Sequence, residues 1–142
     1  MEIRVANKKD FNQIAKILVQ ESSKKPFNEK YNIKTAIKQI NELSNGEIYL
    51  AENNKEVMGF IASEITKDNK SKAYIKKLWI KKIYQSKGVG TNLVDFIEKR
   101  YKKKGVKIIR LVSKKSSKAF NFYKKLKYKE YKDLVFMEKK IK

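Results

Sequence analysis

The stretch Gln85-Ser86-Lys87-Gly88-Val89-Gly90-Thr91 joins a strand-like segment to a helix-like one, and its residue types suit an anionic ligand. Two glycines two positions apart let the backbone turn tightly and approach a ligand without Cβ obstruction. The N–H groups that open a helix lack intrahelical acceptors and carry the positive end of its dipole, which favours a pyrophosphate. Lys87 and the Thr91 hydroxyl can add to that field. The plain alternative is a helix that begins with a Gly-rich turn. No third glycine completes a dinucleotide fingerprint, and no Gly-Lys-Ser/Thr completes a P-loop.

The rest of the chemistry must come from a short menu. The 142 residues contain no Cys and no His. Disulfides, thiolate or imidazole zinc sites, a Ser-His-Asp triad and a cysteine nucleophile are therefore excluded. Tyr, Ser/Thr, Lys, carboxylates and the backbone remain, and no metal site is expected.

Hydrophobic spacing supplies the elements that position these groups. Ile3 and Val5 alternate as a short strand, and Asn7 is suited to cap a helix carrying Phe11, Ile14, Ala15 and Leu18. Residues 21–31 hold the sole Pro and read as a loop. A second helix carries Ile33, Ala36, Ile37, Ile40 and Leu43 on one face. Strands are expected at 48–51, 57–65 and 73–83, with a turn at Asn53-Asn54. A third helix runs from near Gly88 to Gly105, then come a strand at 107–112, a helix at 116–126, and strands at 128–131 and 134–141. The order β-αα-βββ-α-β-α-ββ is mixed α/β, with hairpins before one βαβ unit, in a single domain over 1–142. Ile75 and Leu78 are three apart whereas Leu78 and Ile80 are two apart. Either a bulge near Lys76-Lys77 bends this strand, or it is buried on both faces.

The run from Ala73 to Val94 (AYIKKLWIKKIYQSKGVGTNLV), with AFNFYKKLKY at 119–128, resembles the GNAT family of acyl-CoA-dependent N-acetyltransferases. The family's Gln/Arg-x-x-Gly-x-Gly/Ala signature is met by Gln85, Gly88 and Gly90. Its aliphatic stretch on the bulged fourth strand is met by Leu78, Trp79 and Ile80. Its later Ala-x-x-Phe/Leu-Tyr-x-Lys pattern is met by Ala119, Phe122, Tyr123 and Lys125. The element order matches over essentially the whole chain.

The resemblance implies a GNAT fold, an α+β arrangement of about seven mostly antiparallel strands flanked by four helices. It implies that acetyl-CoA donates an acetyl group to a primary amine by direct attack. Backbone groups of Leu78 and Ile80 would hold the acetyl-pantetheine arm, with Trp79 between them. Gln85, Ser86, Lys87, Gly88, Val89, Gly90 and Thr91 would cradle the pyrophosphate, and Ser116 would cap the next helix and touch CoA. Tyr123 would protonate the departing thiolate, a task suited to a phenol that stays protonated at neutral pH; by itself it also fits a core aromatic in line with Ala119 and Leu126.

Three positions depart from the family pattern. Lys76 and Lys77 stand where relatives often carry a Glu base, so a water, Glu64 or an amine arriving neutral must serve. Lys127 replaces a glycine after the last helix, and Tyr128 replaces a Phe. On the acceptor side, Pro26-Phe27-Asn28-Glu29-Lys30-Tyr31 is similar to a stretch of some small relatives. Glu29 would meet an ammonium between Phe27 and Tyr31; alternatively, the two aromatics staple the second helix and Glu29 is solvated.

Charge supports one rival reading. The formal net charge is +21, with 12 basic and 10 acidic residues in 1–71 against 24 and 5 in 72–142. Such asymmetry points to an anionic partner of the C-terminal half, either CoA itself or, in a binding module, nucleic acid. Only 3 of the 36 basic residues are Arg, and the aromatics near the lysines fall at core spacing, which disfavours nucleic acid. An abundance of Lys, Ile and Asn is also what AT-rich coding produces. An acyl-CoA-binding protein without catalysis is the second rival. No apolar run is long enough to span a membrane, and a cytoplasmic location is expected. The acceptor and oligomeric state stay open, a homodimer included.

Overall fold

The computed structural model describes residues 1–141. They form two compact units, Met1–Val112 and a second that begins at Ser113.

The first unit is built on a five-stranded sheet in the order β1 (Glu2–Val5), β2 (Glu47–Asn53), β3 (Glu56–Ile65), β4 (Lys72–Ile80), β5 (Ile108–Arg110). All neighbours are antiparallel except β4 and β5, which are parallel and joined through α3 (Val89–Lys103). That βαβ crossover follows the meander of β2 to β4, as the order of periodicities predicted.

Period-two alternation divides the two sheet faces. Ile48, Leu50, Phe60 and Ala62 pack with Ile14, Ile17 and Leu18 of α1 (Phe11–Ser22) and with Ala36 and Ile40 of α2 (Ile33–Leu43). Tyr49 and Ser63, on the other face, meet α3. The Tyr49 ring lies 4.9 Å from that of Phe96, and Ser63 Oγ lies 2.6 Å from Tyr101 Oη. Arg100 donates to Glu47 at 2.7 Å, so both edges of α3 are pinned to the sheet. Burial of these aliphatic side chains supplies the main drive for docking the helices.

Local chemistry sets the helix starts. Asn32 Oδ1 accepts from Thr35 N at 2.8 Å, while Thr35 Oγ1 accepts from Asn32 N, a reciprocal cap at the start of α2. Asn7 and Asp10 form the same box one turn before α1. Asp10 also receives two hydrogen bonds from Arg4, whose guanidinium holds its carboxyl below the ordinary Asp range. Arg4 also donates to both carboxylate oxygens of Glu52, which locks β1 to β2.

In the second unit α4 (Lys118–Lys125) is short and carries the buried Tyr123. The two final strands expected at 128–131 and 134–141 are not formed, so the described sheet has five strands rather than about seven. Leu134, Val135, Phe136 and Met137 are all exposed. Four consecutive apolar residues satisfy a strand's composition, but a strand also needs a ladder partner for its N–H and C=O groups. The helix cap also differs by one residue: Ser117 Oγ, not that of Ser116, accepts from Phe120 N at 3.3 Å. Ser117 is the buried one of the two and Ser116 is exposed, so only Ser117 turns inward to the helix end.

Candidate active site

The register between β3 and β4 slips by one residue. Ala62 faces Lys77 while Ser63 faces Ile75, so Lys76 is the extra residue of a bulge. Directly opposed residues of an antiparallel pair share a face. Ile75 opposite Ser63 and Leu78 opposite Ile61 are thereby brought to one face despite their odd spacing. Of the two readings of that spacing, the bulge is the one the backbone adopts.

Past the bulge, β4 has an open edge. β5 pairs with it only at Lys72, Ala73 and Tyr74, so from Ile75 to Ile80 no described strand covers that side. Leu78, Trp79 and Ile80 therefore carry an edge that can accept an added extended chain.

The chain then makes a one-turn 3₁₀ helix at Lys82–Tyr84 and enters α3. Ser86 adopts φ 63° and Gly88 φ 86°, both in the left-handed region. Gly88 is the N-cap of α3 and contributes no side chain, and the first helical bond runs from Asn92 N to Gly88 O at 3.0 Å. The N–H groups of Val89, Gly90 and Thr91 are thus left without acceptors among the described residues. A Cβ placed on Gly88 would meet nothing within 4 Å, so open space lies on that side. An uncapped, unobstructed helix start fits a phosphate group.

Two side-chain contacts fix this loop from behind. Tyr84 Oη lies 2.6 and 2.8 Å from the two carboxylate oxygens of Glu56, to which it donates. Gln85 Nε2 donates to Ile80 O and to Glu21 Oε1, each at 2.8 Å. Glu21 is buried near the end of α1 and also accepts from Lys24 Nζ at 3.0 Å.

The loop between α1 and α2 lies against β4. Phe27 meets Trp79 edge-on with ring centroids 4.8 Å apart, and Tyr31 and Trp79 both pack on the α1–α2 core. Burial, then the nearby Glu29 carboxylate, push the Tyr31 phenol above its ordinary pKa. Glu29 Oε2 is sealed from solvent and accepts no hydrogen bond from the described residues, and Trp79 Nε1 is likewise buried and donates none. Phe27 thus packs on β4 and Tyr31 on the α1–α2 core, and Glu29 is half-buried rather than fully solvated.

Glu64 lies on β3 beside the bulge, with Oε2 2.9 Å from Lys76 Nζ. In the second unit, Tyr123 is 8% exposed and stacks edge-on with Phe122 and Tyr128. Burial pushes its pKa well above that of a free phenol. The group therefore stays protonated across the neutral range.

The sequence model of the acetyltransferase (GNAT) family matches residues 12–128, most of the chain and both of the motif regions. The chain belongs to the GNAT acetyltransferase family. No curated protein sequence matches it significantly. Its structure is similar to that of a possible acetyltransferase from Clostridium difficile, with a TM-score of 0.81 at 20% identity, over 99% of this chain and 98% of that one. A transcriptional regulator from Bacillus halodurans gives 0.77 at 23% identity over 96% and 98%. An aminoglycoside acetyltransferase from an uncultured soil metagenomic sample, solved with trehalose, gives 0.75 at 20% identity over 99% and 96%. At these identities the likeness speaks for the fold.

GNAT acetyltransferases use acetyl-CoA and bind the thioester together with an acceptor, and acyl transfer is the chemistry to which this chain's family points. Among the described residues no group of three or more Asp or Glu could hold a metal ion. The GNAT signature was legible as far as Gln85 to Thr91. Glu21, Glu56 and Tyr84 were missed, because their roles arise from contacts spanning 64 and 28 residues that no local pattern announces.

Proposed function

We propose that this protein is an N-acetyltransferase that moves the acetyl group of acetyl-CoA to a primary amine. One observation carries the reading: the open edge of β4 from Ile75 to Ile80 leads directly into the uncapped start of α3 at Gly88. An extended pantetheine arm pairs with the first, and a pyrophosphate takes the N–H groups of Val89, Gly90 and Thr91. Lys87, exposed beside them, adds positive charge. Leu78 and Ile80 supply backbone groups along the edge, where an N–H would stabilise the oxyanion of the tetrahedral intermediate.

The chemical step is balanced without a covalent enzyme intermediate. The acceptor's ammonium first loses a proton to water or to Glu64, and the neutral nitrogen attacks the thioester carbonyl. The C–S bond breaks and the nitrogen sheds its second proton to solvent. CoA leaves as a thiol on the proton of Tyr123, whose phenolate recovers one from solvent. Tyr123 is assigned that proton by its place in the family motif, and its raised pKa is consistent with a group that donates rather than ionises. Glu29, with one carboxylate oxygen buried and unpartnered, is suited to receive the acceptor's ammonium beside Phe27 and Tyr31. A protein in the cytoplasm has the CoA thioester pool at hand.

The test is thiol release from acetyl-CoA with a panel of polyamines, amino sugars, amino acids and peptide amines. The chain has no cysteine, so a thiol reagent meets no background from the protein. Amine-dependent release with mass-spectrometric detection of the acetylated amine is expected, and Tyr123→Phe should slow it about a hundredfold. Calorimetry that finds no acetyl-CoA binding at submillimolar ligand removes the proposal. Binding with no release for any amine favours an acyl-CoA-binding role without catalysis.

A further inference from the structure

Glu21 is a buried carboxylate that the acetyl-transfer reading does not use. It lies near the end of α1, 5% exposed, and among the described acidic residues only Asp10 is also buried. A buried carboxylate costs free energy unless its oxygens are hydrogen-bonded. Here they take Gln85 Nε2 at 2.8 Å and Lys24 Nζ at 3.0 Å. Each partner belongs to a different side of the proposed site. Gln85 opens the pyrophosphate loop, and its amide also donates to Ile80 O, at the end of the β4 edge. Both amide hydrogens are committed, so the amide plane is fixed and the loop it begins is fixed with it.

Lys24 starts the acceptor loop. Its carbonyl accepts from Phe27 N at 2.9 Å and from Asn28 N at 3.1 Å, and Glu29 N donates to Ser22 O at 2.9 Å. Lys24 thus holds the turn that carries Phe27 and Glu29. Phe27 in turn lies against Trp79, the residue before Ile80. The contacts close a ring: Glu21 to Gln85, Gln85 to Ile80, Trp79 to Phe27, Phe27 to Lys24, and Lys24 back to Glu21.

Resting on the acetyltransferase reading, we infer that Glu21 is a positioning residue whose one buried carboxylate holds both the CoA loop, through Gln85, and the acceptor loop, through Lys24. Glu21 touches neither substrate. It acts through Gln85 on the donor side and through Lys24 on the acceptor side, and the two arms are separable by substitution.

The experiment uses CoA as the donor-side probe and Trp79, the sole tryptophan, as the reporter of the acceptor loop. Calorimetric CoA titration and acrylamide quenching of Trp79 are measured on wild type, Glu21→Ala, Glu21→Gln, Gln85→Ala, Lys24→Ala and the Glu21→Ala/Gln85→Ala pair. Glu21→Ala should raise the CoA Kd about tenfold, the scale of a lost charge-assisted hydrogen bond, and should raise quenching about twofold. Glu21→Gln keeps an acceptor for Gln85 but loses the charge that holds Lys24. Its CoA Kd should stay within about twofold of wild type while quenching rises, a split that general destabilisation does not produce. Gln85→Ala should match Glu21→Ala in CoA Kd, and the pair should add nothing further.

A wild-type CoA Kd in Glu21→Ala, or full additivity in the pair, overturns the inference. If Glu21→Ala gives no cooperative melt, Gln85→Ala must still weaken CoA and Lys24→Ala must still expose Trp79, and wild-type behaviour of either overturns it. Wild-type protein that does not bind CoA overturns the acetyltransferase reading as well. Wild-type protein that binds, with variants that do not differ from it, overturns the junction alone.

Discussion

Lys76 is the extra residue of the β4 bulge, and its ammonium sits 2.9 Å from Glu64 Oε2 on the neighbouring strand. The bulge thus places a lysine where GNAT relatives often carry a glutamate, and it places a glutamate from β3 within its reach. Glu64 is partly exposed, with a side chain 27% accessible, so one oxygen can meet water or an acceptor amine while the other holds Lys76.

Glu64→Gln should therefore lower kcat about a hundredfold at neutral pH, the scale of a general base, and leave the CoA Kd unchanged. The deficit should shrink as pH rises toward the acceptor's own pKa, because an amine that arrives neutral needs no base. A pH–rate profile of both proteins with the best amine of the panel checks this. A deficit constant with pH would assign Glu64 to structure rather than proton transfer.

Gly88 sets up a second prediction. With φ 86° and nothing within 4 Å of the place a Cβ would take, the residue is constrained by its backbone angle and not by space. Gly88→Ala should cost about 1 kcal/mol through the left-handed φ alone. If the loop responds by straightening, the N–H groups of Val89 to Thr91 turn away from the position proposed for the pyrophosphate. CoA affinity should then fall about tenfold, the scale of one such penalty, with only a small change in Tm. Gly88→Asn should lose less, since Asn tolerates this region best among residues with a side chain.

Backbone-borne features of this site were legible in the sequence, and side-chain-borne ones were not. The uneven spacing of Ile75, Leu78 and Ile80 pointed to the bulge because a period of two is strict along a strand. Gly88 pointed to the loop because few other residues suit its left-handed φ, whereas Gly90 lies in the first turn of α3 with no positive φ. Gln85 was visible as a motif position, but its hydrogen bond to Glu21 was not, since α1 and β4 meet only after the core has formed. The final strands were misjudged for the same reason. Leu134 to Met137 have the composition of a strand, and pairing with another described strand, which composition does not encode, is what they lack.

Two tyrosines predict how stability responds to alkali. Tyr101 is fully buried beside Ser63, and Tyr123 is nearly so; burial raises both phenols above their unfolded pKa of about 10. Above pH 10 the unfolded chain releases these protons first, so the unfolded state binds fewer protons than the folded state and stability falls as pH rises. The stabilisation is complete below about pH 10 and is lost through the higher folded values. Urea denaturation at about pH 8 to 11 should show the midpoint falling above pH 10, and Tyr123→Phe should flatten that slope. An unchanged slope would mean that Tyr123 ionises in the native state as freely as in the unfolded one.

Lys127 is the clearest place where this chain can be made more stable. It follows α4 with φ 74°, and the chain closes there by Lys127 N to Lys124 O at 3.0 Å and Tyr128 N to Tyr123 O at 3.0 Å. This is the helix-ending pair of bonds that glycine normally serves, and Gly105 serves it after α3 with φ 87°. A side chain in this region costs roughly 1–2 kcal/mol, partly offset in glycine by the greater freedom of the unfolded chain. Lys127→Gly should thus stabilise by about 1 kcal/mol and raise Tm by about 3 °C. Lys127→Ala removes the charge but keeps the strained angle and should give no gain. If the alanine variant gains as much as the glycine variant, relief of lysine repulsion is the cause, and the backbone account of this turn fails.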